Sequence, residues 1–295
     1  MLIKLMQNPI IKAIYIGITN ICSIIPDRVY LKILYRLRTG QKLHLNPPIT
    51  FNEKIQWLKI NDNDENHSKM VDKYAVREYI SEKLGEDYLI PLIGVYDNAN
   101  DIDIEQLPKE FVIKCTHDSG SVFLCKKHED FSPKIRNSFN KALKRKYYYA
   151  SRENLYKGVT PKLVIEEMMH NSDGKGLTDY KFYCFDGEPR FLYVSAGLED
   201  HTKAKISFYN IDLSDAPFQR SDYAHFDKIP NIPKCYDEMI MVAKKLSEGI
   251  PFVRVDLYEI NEQVYFSELT FSPCSGMMPF EPKEYDKKLG EMIKI

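Results

Sequence analysis

Apolar positions at Val29, Ile33, Leu34 and Leu37 fall at helical spacing, and the pattern ends at Gly40 and the Pro47-Pro48 pair. A second helix is expected from Thr50. There Thr50-Phe51-Asn52-Glu53 has the form of a capping box and leads into Ile55, Trp57 and Leu58. Trp57, the one tryptophan, is expected to anchor the packing of that helix. Residues 1–60 therefore read as helical, and residues 68–84 as another helix. Beyond Pro91 the runs shorten to strand length: 92–96, 111–114, 122–125 and 163–169, the last carrying Glu166 and Glu167. Residues 180–185 and 190–194 flank Asp186-Gly187, a dipeptide favoured in two-residue hairpin turns, and Lys181 shares a strand face with Asp179 and Tyr183. After a long polar stretch, 236–249 forms an amphipathic helix, and strands at 252–257 and 264–270 follow. The pattern is α+β, with no internal repeat and no low-complexity linker.

Segment 10–25 is mostly apolar, interrupted by Lys12 and Asn20 and bracketed by Pro9 and Pro26. It is short for a membrane span and lacks a small-residue cleavage site. A helix packed on the protein or on a partner is expected. Shallow membrane contact is the alternative, with Arg28, Lys32, Arg36 and Arg38 as a basic flank. In the 295-residue chain, 41 Lys and Arg balance 42 Asp and Glu, so no whole-molecule field draws nucleic acid or anionic lipid. The six cysteines form no C-x-x-C pair, which suits a reducing cytoplasm. Residues 137–149 read as a basic helix with Lys141, Lys144, Arg145 and Lys146, ending in three tyrosines. Such a mixture suits nucleic acid, but a solvated helix face is the preferred reading.

The last two strands carry the clearest chemistry. Arg254 and Asp256 lie on one face, as do Glu268 and Thr270, while Val253, Val255, Leu257, Leu269 and Phe271 make the other face apolar. A turn centred on Glu262 sets Asp256 opposite Glu268 and Arg254 opposite Thr270. Facing carboxylates repel, so the arrangement asks for a cation between them or a shared proton. With no histidine or cysteine on that face, the cation is expected to be Mg²⁺ or Mn²⁺, and Arg254 suits a phosphate oxygen. A hairpin whose polar face simply meets water is the alternative. The loop Cys115-Thr116-His117-Asp118-Ser119-Gly120-Ser121 is small and polar enough to fold over phosphates. His117 and Asp118 are acid–base candidates there, or residues that only hydrogen-bond locally.

Taken in order, Lys73, Lys114 before the glycine loop, the Glu166-Glu167 strand, Lys181, Arg254-Val255-Asp256 and Glu268-Leu269-Thr270 resemble the ATP-grasp superfamily. From about Leu43 onward the chain is similar to the TupA-like branch, associated with teichuronopeptide and capsular polysaccharide synthesis. The segments that carry this likeness are 50–58, Asp72-Lys73-Tyr74, 111–114, 179–182, 253–257 and 268–271. The resemblance implies an ATP-grasp fold, two α+β subdomains gripping the nucleotide. The expected division is a helical segment 1–65 and an ATP-grasp domain 66–295, itself split at about residue 160 into a flexible-loop part from about 100 and a metal-binding part. It further implies that Lys73, Lys114, Ser119, Gly120, Ser121, Glu166, Glu167, Lys181 and Arg254 bind ATP. Lys181 and Arg254 would act in catalysis, and Asp256, Glu268 and Thr270 would hold Mg²⁺, or Mn²⁺. Thr270 replaces the asparagine of the wider superfamily, and Cys274 stands where a glycine is expected.

The activity implied is an ADP-forming carboxylate–amine ligase working through an acyl phosphate. Its acceptor would be a uronic-acid-containing glycan or precursor, and its co-substrate an amine. No nucleic acid partner is expected. Residues 1–38 would contact a membrane or a polysaccharide-assembly partner, and the protein would be cytoplasmic or peripheral at the inner face of the membrane. A sugar kinase, a non-catalytic nucleotide-binding component and a glycosyltransferase stand as alternatives.

Overall fold

The computed structural model describes residues 24–172, 174, 176–196, 204–229 and 232–295, and the described residues begin with four helices. They are α1 (Asp27–Thr39), α2 (Phe51–Asn61), α3 (Glu65–Val71) and α4 (Val76–Leu84). Most of the apolar segment 10–25 lies outside the described residues. Strands β1 (Leu92–Tyr96), β2 (Phe111–Cys115) and β3 (Val122–Cys125) follow, then helices α5 (Pro133–Leu143) and α6 (Tyr147–Ser151), then β4 (Leu163–Glu167). These strands pair antiparallel in the order β1-β4-β2-β3. Their inner face, with Phe111, Ile113, Leu163 and Ile165, packs on Phe139 and Ala142 of α5.

The second sheet begins with β5 (Asp179–Phe185), β6 (Glu188–Ala196) and β7 (Lys205–Asn210). After a two-residue strand β8 (Gln219–Arg220) and helix α7 (Tyr236–Ser247), β9 (Phe252–Ile260) and β10 (Gln263–Thr270) complete it, in the antiparallel order β10-β9-β5-β6-β7. Strand β11 (Phe280–Glu281), which pairs with β8, and helix α8 (Glu284–Glu291) end the chain. One face of this sheet, with Tyr180, Phe182, Val253, Val255 and Leu257, packs on Met239, Val242 and Leu246 of α7. On the opposite face Tyr183, Phe185, Phe208 and Phe252 meet Phe51 and Ile55 of α2 and Leu289 of α8. The Thr50–Glu53 capping box forms as read. The same helix thus fixes its own start and plugs the sheet.

Three elements differ from the sequence pattern. On α1 the stripe of Val29, Ile33 and Leu37 is 47%, 51% and 69% exposed, while Tyr30, Leu31 and Tyr35 are buried with Leu43 and Leu45. The rotation follows from Asp27, which accepts hydrogen bonds from Arg152 at 2.9 Å and from the Tyr148 hydroxyl at 2.5 Å, while the Arg152 guanidinium lies 4.4 Å from the centre of the Tyr30 ring. Second, residues 68–84 are not one helix. Asp72 breaks the run, its carboxylate accepting from the backbone N–H of Tyr74 at 2.8 Å and of Ala75 at 3.3 Å. Third, the basic helix breaks after Leu143, and the three tyrosines open the separate, short α6.

Candidate functional site

The break at Asp72 turns Lys73 toward the glycine loop, where its backbone N–H bonds Thr116 O at 3.2 Å and its ammonium donates to Asp118 O at 2.6 Å. The loop holds itself closed through Asp118, which accepts from the Ser121 hydroxyl at 2.5 Å and the Ser121 N–H at 3.3 Å. Gly120 has φ +102°, a value that L side chains rarely adopt, so the bend requires glycine there. Lys114 leaves β2 on the same side. Its Nζ pairs with Glu166 at 2.7 Å, and Arg77 reaches the other Glu166 oxygen at 3.2 Å. These groups face β10 across a cleft of about 210 Å³. Lys73, Lys114, Ser119, Gly120, Ser121 and Glu166 line one side, and Ser267 and Glu268 the other, with Leu89, Ile90 and Phe266 as an apolar wall. A neighbouring open groove of about 650 Å³ shares Arg77 and Leu89.

The β9–β10 hairpin reaches its predicted pairing by an indirect route. Its turn is Asn261-Glu262, both with positive φ, so Gln263 pairs with Ile260 and Phe266 with Leu257. A one-residue bulge at Ser267 then shifts the register, and Glu268 falls opposite Asp256 and Thr270 opposite Arg254. Bulges of this kind re-aim side chains beside functional sites. Here three consecutive residues, Phe266, Ser267 and Glu268, all line the cleft.

The two facing carboxylates are not equivalent. Asp256, only 1% exposed, accepts from Arg254 Nε at 2.7 Å and Nη2 at 2.6 Å, and from Lys181 Nζ at 2.7 Å. Lys181 also pairs with Asp179, and Arg254 Nη2 donates to the Thr270 hydroxyl at 2.9 Å. Burial alone would raise the Asp256 pKa, but the charges of Arg254 and Lys181 outweigh it and hold the carboxyl below its usual range. For Lys181 burial is likewise overcome, by Asp256 and then Asp179, and its pKa is raised. The like-charge repulsion expected across the hairpin is therefore relieved by protein cations. Glu268, by contrast, makes no hydrogen bond or ion pair through its carboxylate among the described residues.

Of the remaining expected residues, Glu167 is exposed and outside the cleft lining, its backbone N–H bonding Pro91 O at 3.0 Å. Asp256, Lys181, Arg254 and Thr270 are not part of the cleft wall that Glu268 lines. His117 is buried and lines a different cavity, on the far side of the loop. Cys274 and Ser275 take positive φ, at +49° and +55°, so the final loop is formed without the expected glycine at that point. Sequence reasoning missed Arg77 and Asp179 as partners. Arg77, four residues after Lys73, lines the same cleft and bonds Glu166 and Ile90 O, and Asp179 shares the Lys181 strand face, which the sequence pattern shows without giving it a partner. Among the described residues no group of three or more His, Cys, Asp or Glu is arranged to hold a metal ion.

A family model described as TupA-like ATPgrasp matches residues 53–294. Among solved structures the chain is similar to the D-alanine–D-alanine ligase of Bacillus anthracis, at 13% identity and a TM-score of 0.42, over 83% of this chain and 69% of that one. It is also similar to D-alanyl-alanine synthetase A of Vibrio cholerae, at 12% identity and a TM-score of 0.43, over 77% and 62%. A third is a RimK domain ATP-grasp protein of Sphaerobacter thermophilus, at 12% identity and a TM-score of 0.39, over 76% and 67%. No curated protein matches the chain in sequence. Because the family match runs over residues 53–294, well beyond half of the chain, this protein belongs to the TupA-like ATP-grasp family.

Proposed function

We propose that the chain is an ATP- and Mg²⁺-dependent, ADP-forming carboxylate–amine ligase that attaches an amine, such as an amino acid, to a uronic-acid carboxylate of a cell-surface glycan or its precursor. One observation carries this reading. Three cations, Lys73, Arg77 and Lys114, line a cleft whose opposite side presents Glu268, a carboxylate that makes no hydrogen bond or ion pair among the described residues. The cations suit phosphate oxygens, and Leu89, Ile90 and Phe266 offer a purine ring an apolar wall. Lys73 would exchange Asp118 O, and Lys114 would exchange Glu166, for phosphate. The Ser119-Gly120-Ser121 bend would cover the phosphates with backbone N–H groups.

The donor set fits Mg²⁺ rather than a metal that needs a cage of protein ligands. Mg²⁺ is held by one or two carboxylates together with substrate phosphates and water, and Glu268 is available to it. Asp256 would join by giving up a hydrogen bond from Lys181 or Arg254, and Thr270 would contribute through water; Mn²⁺ meets the same oxygen set. When bound, the ion neutralises charge on the phosphates. The acceptor carboxylate then attacks the γ-phosphorus and ADP leaves. The amine nitrogen attacks the acyl carbon, and phosphate departs. Arg254, held by Asp256 and the Thr270 hydroxyl, places a fixed positive charge within electrostatic reach of Glu268.

Among the described residues no helix is long and apolar enough to cross a membrane. A cytoplasmic enzyme, peripheral at the membrane where such glycans are built, fits the proposal. The test is turnover with a uronate acceptor, an amine and Mg·ATP. ADP and phosphate are expected, and hydroxylamine should trap the activated carboxylate as a hydroxamate. AMP and pyrophosphate would overturn the reading, and a phosphorylated sugar without amide would replace it with a kinase.

A further inference from the structure

Behind the glycine loop lies a second cavity, of about 420 Å³, in the size range of small-molecule sites. Lys144, Arg145, Lys146 and Lys157 line it, and among the described residues no acidic residue does. In a chain with equal numbers of acidic and basic residues to within one, this is a marked local excess. Tyr147, Tyr148, Tyr149 and Tyr156 supply its aromatic surface; Tyr147 and Tyr156 meet edge to face with ring centres 4.8 Å apart. His117, 3% exposed, lines the same space, and among the described residues neither ring nitrogen has a hydrogen-bond partner. The Ala142 and Arg145 backbones approach the ring without reaching hydrogen-bonding geometry.

The break between α5 and α6 creates this cavity by folding the basic run back beside the tyrosines. Only the loop separates it from the cleft, since His117 lines the cavity while the next residue, Asp118, lines the cleft. Tyr156 lies within electrostatic reach of Glu268 and Asp118, both cleft residues.

We propose that this cavity is the binding site for the acceptor, an acidic saccharide whose carboxylates meet the four cations and whose sugar rings lie against the tyrosines. The proposal rests on the ligase reading for its role, though not for its chemistry. Cations with aromatics also suit single-stranded nucleic acid. That ligand needs a groove that tracks a backbone, however, and this is a local pocket in a molecule of balanced charge.

The experiment is calorimetric titration of the full chain with a galacturonic acid trisaccharide, alongside a separate ADP titration. The trisaccharide should bind, and the neutral galactose trisaccharide should not. The double variant Lys144→Gln, Lys157→Gln removes two exposed charges, of which the Lys157 ammonium lies 4.5 Å from the centre of the Tyr148 ring, and it should weaken the uronate at least tenfold while ADP affinity stays unchanged. Absence of uronate binding, equal binding by the double variant, or equal or tighter binding of galactose, triglutamate or a thymidine oligonucleotide would each overturn the proposal. A chain that binds the trisaccharide yet neither binds ADP nor consumes ATP would sink the ligase reading and leave the saccharide site standing.

Discussion

Asp256 and Glu268 are opposite one another in the ladder, yet their neighbourhoods make opposite predictions. Asp256 neutralises two cations in a buried cluster, and removing one partner of such a pair leaves an uncompensated charge at a cost of about 3–5 kcal/mol. Asp256→Asn should therefore lose about that much stability in urea denaturation. Glu268→Gln breaks no bond and should stay within about 0.5 kcal/mol of the wild type, while Mg·ATP turnover falls by orders of magnitude. Equal stability losses in the two variants would contradict this arrangement. Lys59 offers a second test. It is 3% exposed, its ammonium donating to the Ser275 hydroxyl at 2.9 Å, and burial pushes its pKa down to about 8 against the opposing pull of Glu153. A depressed lysine binds fewer protons folded than unfolded, so this group makes stability rise with pH from about 8 toward the unfolded value of about 10.4. Between pH 8 and 10 the rise should be about 2 kcal/mol larger in the wild type than in Lys59→Met, as read from urea midpoints.

At the scale of elements, the bulge at Ser267 and the rotation of α1 each put a side chain where simple periodicity would not. Removing Ser267 leaves Phe266 against Leu257 and Glu268 against Asp256, so the ladder can close without it. The deletion variant should still melt cooperatively. It should bind ADP more weakly, because the bulge is what brings three consecutive residues to the cleft; aggregation of the variant, or undiminished ADP affinity, would show the bulge to have a different role. On α1, Leu31 is 1% exposed and Ile33 is 51% exposed. Leu31→Ala should cost about 2–5 kcal/mol and Ile33→Ser less than about 0.5 kcal/mol. Thermal denaturation of the two variants distinguishes the buried face from the one the apolar spacing singles out.

Across the whole molecule, the N-terminal helices are fastened to the C-terminal end. Asn52 donates to Met278 O at 2.9 Å and accepts from Met278 N–H at 2.7 Å, and Lys54 Nζ donates to Ile293 O at 2.6 Å. Gly290 allows this docking, since a Cβ there would sit 2.3 Å from Ile49 O. Removing residues 1–38 strips Tyr30, Leu31 and Tyr35 from their cluster with Leu43 and Leu45 and takes Asp27 from Arg152. A marked fall in melting temperature is expected. Yet among the described residues none before Lys73 lines the cleft. Mg·ADP should still stabilise the truncated chain, by about 2.7 kcal/mol at a hundredfold excess over Kd. A folded truncation that no longer responds to Mg·ADP would show that the first helix belongs to the site.

Much of the fold is legible in the sequence because its signals are local. The Thr50–Glu53 capping box, the Asp186-Gly187 turn and the two-residue alternation of Val253, Val255 and Leu257 each depend on neighbours a few positions away. The sequence by itself likewise assigns Arg254, Asp256, Glu268 and Thr270 to one face, since parity along a strand is a property of the chain. Tertiary structure decided what those residues are free to do. Lys181, 75 positions before Asp256, is brought beside it by the β5–β9 pairing, and that contact separates an engaged carboxylate from a free one. Arg152, 125 positions from Asp27, decides which side of α1 is buried. The packing of α5 behind β2 turns His117 away from the cleft and into the basic cavity. Burial and ion pairing are set by whatever packs opposite, and in this chain the opposing group is almost always too distant in sequence for any periodicity to report it.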